Sequence, residues 1–506
     1  MAARRRATRT SGWLSVSALA AALAVVIGIL TLFPACERRL EVPVAVDDRL
    51  QDLWEELLSH SPLPEPFAAV PSDDQTPALR IEYSRDVSAD YGEDTVLLER
   101  RWLVPTVPLA DPREEIDLEE VSGLELAYLD DVVPPAKGLA VDQLYPGDAG
   151  YPLIEDTVIM LETESLPRRV RDDEHELLRR WLRQMESETA PPGLVWIGAV
   201  GDIMPGRGVT EILDRSDGLH VVFGDLLPLL QSADLLIGNF EGAITTRGQQ
   251  AAKSYTFRLH PRVLAPLRLA GFDYLSLTNN HSYDYGRVGF TDSLAHMADS
   301  GIATSGVGMS LEEASSPWVT SFGSTRVSVL SVGAYPVEQS GFSGAATAAA
   351  RADRPGVLWA GGDGELYQAA IDAMERAFSD SSFDIVAVHG GREWASEPDE
   401  WQRERYASFV DAGADLVLGT HSHVVQGLEV HDGRIIAHSL GNFVFPGMYG
   451  TRYGEESGVL MLGLSGGTAR YVRFYPVRIN HQTLALDTAT AIAERFFAAT
   501  AALSRR

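Results

Sequence analysis

Beyond Leu194, five apolar stretches each end in side chains that can bind a divalent metal ion. Leu194–Val200 runs into Gly201 and Asp202, and Leu235–Ile237 runs into Gly238, Asn239, Phe240 and Glu241. Tyr274–Leu277 leads to Asn279, Asn280 and His281, Ile385–Val388 ends on His389, and Leu416–Leu418 leads to His421, Ser422 and His423. Carboxylates, amide oxygens and imidazoles without a thiolate suit a hard-to-borderline divalent cation. A single aspartate after a strand is more often a helix cap, and a single buried histidine is more often a satisfied core residue. Five such endings together read as one site. His421 and His423 would send both rings to one face of an extended strand; at a strand-to-loop bend they would serve neighbouring metals, or one metal and one oxyanion.

Such a site needs a scaffold that gathers strand ends. Short apolar runs alternate with helical stretches from Leu194 onward, the pattern of an α/β domain. In these folds the loops leaving the strand ends collect at one edge of the sheet, where ligands bind. Glycines beside Asp202, Asn239 and His389 allow sharp turns there. The expected domain spans 194–480, followed by a C-terminal helix over 481–506 rich in alanine with Phe496 and Phe497. The turn-rich Thr189-Ala190-Pro191-Pro192-Gly193 separates it from an acidic, proline-punctuated block over 37–190, expected as a smaller α+β domain. In that block Thr95–Leu98 and Trp102–Pro105 read as short strands, and Asp173–Met185 reads as an amphipathic helix. The segment around Val104–Pro108, with Asp117, Leu118 and Val121, resembles part of a periplasmic-binding-protein lobe.

The 506-residue chain carries a formal charge of -29, and about 22 of those charges fall between Glu37 and Val200. Nucleic acid is thereby excluded as a partner, because phosphate binding needs a basic surface. The chain has one cysteine, Cys36, so it can form neither an internal disulfide nor a zinc ribbon. Arg4, Arg5, Arg6 and Arg9 precede an apolar run from Trp13 to Ala35, long enough to span a bilayer or to act as an export signal. The arginines would stay cytoplasmic and place the rest outside. Phe33-Pro34-Ala35-Cys36 resembles a loose lipobox, so residues 1–36 are expected to be a lipoprotein signal lipidated at Cys36 or an uncleaved anchor. Both give a protein on the extracytoplasmic face of the cell membrane.

Several motifs resemble, in order, those of the CapA poly-γ-glutamate capsule family. They are Gly201-Asp202-Ile203-Met204-Pro205-Gly206-Arg207, Asn239-Phe240-Glu241, Asn279 to Gly286, Asp411 to Asp415, His421 to Gln426 and Ser439 to Phe443. The resemblance covers roughly 195–450 of the sequence. It implies a calcineurin-like metallophosphoesterase fold, two β-sheets flanked by helices, with two divalent ions among Mn, Fe, Zn and Mg. It also implies a role in making, exporting or anchoring an anionic cell-envelope polymer, with capsule subunits and the membrane as partners. Asp202 and His423 would bind one metal, Asn280, His389 and His421 the other, and Glu241 or Asn239 would bridge or approach both. His281 would be the general acid or a donor to the transition state. Met204 stands where phosphoesterases place a histidine, Asn239 where they place a bridging aspartate, and Gly390 and Ser422 where tryptophan and proline are expected.

Other residues have two readings. Arg207 and Arg392 would hold an anionic substrate or sit solvated, and Asp284 would orient His281 or cap a helix. Asn442 would touch substrate or support a ligand from behind. His260, His296, His431 and His438 read as structural, and Trp394, Trp401 and Tyr406 as packing. Two functions follow: a metal-dependent hydrolase or transferase acting on a cell-envelope polymer, or a non-catalytic component of a capsule complex with a structural metal site. A solute-binding lipoprotein using the acidic block is a third.

Overall fold

A computed structural model describes residues 40–64, 67–71, 77–85, 94–146, 148, 151–166, 170, 172–184, 194–378, 383–487 and 491–505. The arginine-rich start, the apolar run, Cys36 and the 189–193 break lie outside these residues. Among the described residues no helix is long and apolar enough to cross a membrane. The chain divides into two compact units.

The first unit comprises residues up to Pro105 with Ile116–Asp131 and Ala140–Gly193. Its sheet runs in the order Phe67–Pro71, Leu40–Val46, Leu79–Ser84, Ile154–Leu161, Thr95–Pro108, Glu125–Tyr128. Alternate residues such as Val42, Val44, Ile81 and Ile159 share a core with Trp54 and Leu57 of helix Gln51–His60 and with Leu178 and Trp181 of helix Asp172–Arg183. The two short strands expected near Thr95 and Trp102 are one strand of 14 residues, with a register shift between Leu97 and Glu99. That irregularity breaks the alternation that would have revealed a single strand.

The second unit is Leu194–Arg506 together with Thr106–Glu115 and Val132–Leu139. One sheet runs Phe272–Ser276, Leu235–Phe240, Val195–Ile203, Glu456–Ser465, Thr468–Asn480, Thr483–Leu486. Its first three strands are mutually parallel and the rest antiparallel. The other runs Trp318–Phe322, Thr325–Ala334, Phe383–Gly390, Leu416–Thr420, Arg434–Ala437, Leu428–His431, with four central parallel strands. Ile197, Ala199, Leu235, Ile237, Phe383, Ile385, Leu416 and Leu418 form one core shared by the two sheets. Their alternates pack outward. Leu236, Phe272 and Leu275 meet Phe223, Leu230, Leu267 and Phe290 of the helices on one side. Val386, Val388 and Val417 meet Met374, Tyr406 and Phe409 on the other. Strands buried on both faces must read as nearly unbroken apolar runs, as these do.

The expected C-terminal helix over 481–506 is shorter. Thr483–Leu486 pairs with Thr468–Asn480 as the edge strand of the first sheet, and the helix spans Ala491–Leu503. Thr483 is β-branched and suits a strand, and its pairing with Asn480 draws the segment to the sheet edge.

The rows that fill the space between the sheets end in polar residues. Asp202 pairs with Asn239 in register, after a bulge between Ala199 and Asp202 adds one residue to its strand. The bulge puts Asp202 in the row of Ile197 and Ala199, opposite the row of Leu235 and Ile237 that ends in Asn239. His389 ends the row of Phe383 and Ile385 and pairs with Thr420, which ends the row of Leu416 and Leu418. At the bulge, a Cβ on Gly201 would collide with the backbone carbonyl of Gly441. Backbone cannot swing aside as a flexible side chain can, so Gly201→Ala is expected to destabilise the protein by about 1–3 kcal/mol. Thermal unfolding checks this, the expected result being a lower Tm than the parent protein.

Candidate metal centre

Asp202, Glu241 and His423 are buried, and each offers one ligand atom within 4.8 Å of the others. Asp202 Oδ2 lies 3.3 Å from His423 Nδ1, and Glu241 Oε1 lies 3.9 Å from His423 Nε2. A second convergence lies beside it. His389 Nε2 is 3.1 Å from Asn280 Oδ1 and 3.1 Å from His421 Nδ1. The two groups are joined by Asp202, whose Oδ2 accepts from the His421 N–H at 3.3 Å. Asn239 also joins them: its Nδ2 donates to Asp202 Oδ1 at 2.7 Å and lies 3.1 Å from His389 Nδ1.

His421 and His423 both have left-handed backbone, φ 89° and 59°. The extended arrangement, with both rings on one face, is therefore not what forms. The chain bends after Thr420, and the rings separate into the two groups with centroids 6.1 Å apart. Non-glycine residues held at positive φ cost of order 1–3 kcal/mol each, and here both carry site histidines.

The electrostatics favour a cation. Burial pushes the Glu241 carboxyl well above its usual pKa, and the adjacent Asp202 pushes it further. Burial opposes charge on His423, but Glu241 and the hydrogen-bonded Asp202 outweigh it and raise the imidazole to about 10. Burial, then neighbouring imidazoles, hold His389 and His421 well below their usual range, so both rings are neutral and keep lone pairs for a ligand. Both Glu241 oxygens and His421 Nε2 are buried without a hydrogen-bond partner among the described residues. An unpaired buried carboxylate costs several kcal/mol unless a counter-charge is present. The donor set fits a divalent metal.

His281 stands at the edge of the first group. Its Nδ1 is 2.7 Å from Asp284 Oδ2, its Nε2 is 3.5 Å from Glu241 Oε1, and its ring lies against Phe257 at 4.1 Å. Burial lowers its pKa, with Asp284 working in the opposite sense. Asp284 lies against His281 and not at the N-cap of the following helix, Gly286–Ser300, whose N-cap position is Tyr285 with no side-chain capping bond. Of the two readings of Asn442, the geometry matches support of a ligand from behind: it is fully buried and its Oδ1 lies 2.9 Å from His423 Nδ1. Arg207 is exposed, donates to Pro446 O and lies 5.7 Å from the Phe257 ring, at the rim. Arg392 is exposed, and no described contact brings it into the site. Trp394, expected as packing, is 41% exposed and lies 5.4 Å from His423. Tyr406 is core, and His438 is bonded to Glu429.

Four residues support the site without a role assigned to them from sequence, and only Asn279 among them lies in one of the motifs. Asn279 fixes Asn239 by donating from Nδ2 to its Oδ1 at 3.2 Å, and Thr420 Oγ1 lies 3.0 Å from His389 Nδ1. Lys253, whose side chain is 1% exposed, and Glu338 lie in irregular loops with no periodicity to mark them. A buried charge is invisible in sequence until its partner is placed.

Two facing sheets flanked by helices, with a buried carboxylate–imidazole cluster at their strand ends, define an α/β domain with a candidate metal site. Residues 196–447 match the sequence model described as bacterial capsule synthesis protein PGA_cap. The PGA biosynthesis protein CapA of Bacillus subtilis is 32% identical over 287 residues, 56% of this chain and 71% of that protein. The capsule biosynthesis protein CapA of Bacillus anthracis is 32% identical over 252 residues, 49% of this chain and 58% of the relative. A Mycobacterium tuberculosis protein named as a probable polyglutamine synthesis accessory protein is 29% identical over 289 residues, 50% of this chain and 75% of its own length. The chain belongs to the PGA_cap capsule synthesis family, and membership implies a metallophosphoesterase-like fold. A hypothetical protein from Thermus thermophilus aligns over 56% of this chain and all of its own, with TM-score 0.35 and 17% identity, too loose a likeness to define the fold.

His389→Ala and His421→Ala are each expected to lower the bound divalent metal per chain while leaving the fold intact, because both residues sit at strand ends. Elemental analysis with circular dichroism checks this. Unchanged metal content in both variants would mean the centre lies elsewhere.

Proposed function

We propose that the chain is a membrane-tethered, extracytoplasmic protein of capsule or polyglutamate synthesis whose second unit carries a metal-dependent hydrolase or transferase site. The observation that carries the catalytic part is the partnerless, buried Glu241 carboxylate, with His281 Nε2 3.5 Å away and Asp284 behind that ring. A purely structural metal site needs no oriented acid beside it.

On this reading Asp202, Glu241 and His423 hold one divalent ion, and Asn280, His389 and His421 hold a second. A bound divalent ion supplies a Lewis acid for a substrate oxygen. Asp284 accepts from Nδ1 of His281 and favours the doubly protonated ring, whose Nε2 proton would go to the departing group. Arg207 at the rim offers a positive charge to an anionic polymer. The other subunits of the capsule apparatus are the partners.

One observation favours the alternative, a non-catalytic component. Met204, at the position of the expected histidine ligand, is 2% exposed and packs in the apolar core, so the first group has no further imidazole.

The two readings separate at adjacent residues. General acid catalysis is typically worth ~10²–10⁴-fold in rate. His281→Ala is expected to keep metal yet lose capsule formation or hydrolysis, whereas Asn280→Ala loses metal first. A fully encapsulated His281→Ala strain with normal protein levels would establish the scaffold instead.

A further inference from the structure

The Asn280 side chain can serve a metal only with its oxygen turned toward His389. Its Nδ2 donates to Glu338 Oε1 at 3.2 Å, which leaves Oδ1 3.1 Å from His389 Nε2. Glu338 is itself held by a preformed turn after strand Thr325–Ala334. Its N–H donates to Phe342 O at 3.0 Å, its carbonyl accepts from Gly341 N–H at 2.8 Å, and Ser340 Oγ donates to Glu338 Oε2 at 3.2 Å.

Lys253 ties this turn to the neighbouring machinery. Its Nζ lies 2.8 Å from Glu338 Oε1, donates to Asp284 Oδ1 at 2.7 Å and to the Asn280 carbonyl at 2.7 Å, and lies 4.4 Å from the Phe342 ring centroid. One buried ammonium therefore contacts the carboxylate that orients His281, the carboxylate that orients Asn280, and the Asn280 backbone. Without it, Asp284 and Glu338 would be negative groups beside an already acidic centre.

We propose that Glu338 and Lys253 are positioning residues: Glu338 fixes the Asn280 amide so that its oxygen faces the metal, and Lys253 locks Glu338 and Asp284 in one frame. The inference rests on the reading that Asn280 binds metal. Groups that hold a ligand from behind typically contribute 10–100-fold to metal affinity. A carboxamide at 338 can still accept from Asn280, whereas a methyl cannot.

The test is a Mn(II) titration of full-length protein in detergent, comparing the parent with Asn280→Ala, Glu338→Ala, Glu338→Gln and Lys253→Met, with Tm of each apo protein measured alongside. The expected result is that Glu338→Ala and Lys253→Met weaken Mn(II) binding about 10–100-fold, while Glu338→Gln stays near the parent. If Asn280→Ala weakens binding and Glu338→Ala does not, the positioning role is overturned and the metal reading stands. If Glu338→Gln is as weak as Glu338→Ala, the amide-orienting role is overturned. If the parent binds no Mn(II), or Asn280→Ala binds as the parent does, the underlying reading falls and this inference with it. Should Lys253→Met fail to fold, the two Glu338 variants carry the test alone.

Discussion

Two carboxylates, Asp202 and Glu241, are buried in one small volume with the imidazole of His423, and His281 Nε2 lies 3.5 Å from Glu241. Low-dielectric surroundings magnify the repulsion between like charges as much as the attraction between unlike ones. The protein answers part of this with hydrogen bonds: Asn239 and the His421 N–H reach Asp202. Glu241 receives no such help among the described residues. Its solvation must come from a bound cation or from a proton.

The fold makes this tolerable by confining it. Apolar rows fill the space between the two sheets, and polar residues begin only at the last member of each row. A single bulge before Asp202 changes which face that residue joins, and Gly201 is pressed against the Gly441 carbonyl at that point. The left-handed His421 and His423 then divide one His-x-His segment between two groups. Packing energy from the apolar rows offsets the cost of the charged cluster, so the site sits at the margin of the core and outside its centre.

Much of the centre is legible in the residues. Strand-end Asp, Asn, Glu and His are readable because parallel strands buried on both faces appear as unbroken apolar runs whose ends are sharply marked. Long-range support is not. Lys253 and Glu338 lie in loops without periodicity, and their significance depends on being brought to Asn280 and Asp284 from 27 and 58 residues away from Asn280. Asn442 is equally able to face outward or inward by type and position, and only its bond to His423 decides between them. Trp394 fits a helical packing pattern in sequence, yet it lies in a turn with left-handed backbone, φ 62°, and is exposed. The closing segment reads as helix because alanine dominates it, whereas tertiary pairing recruits Thr483–Leu486 into the sheet.

Anomalous diffraction from crystals of the metal-loaded protein, collected at the absorption edge of the bound ion, tests the two-ion centre without passing through activity. One peak is expected among Asp202, Glu241 and His423 and a second among Asn280, His389 and His421. Metal bound stoichiometrically at another place, with no peak at either group, would contradict it.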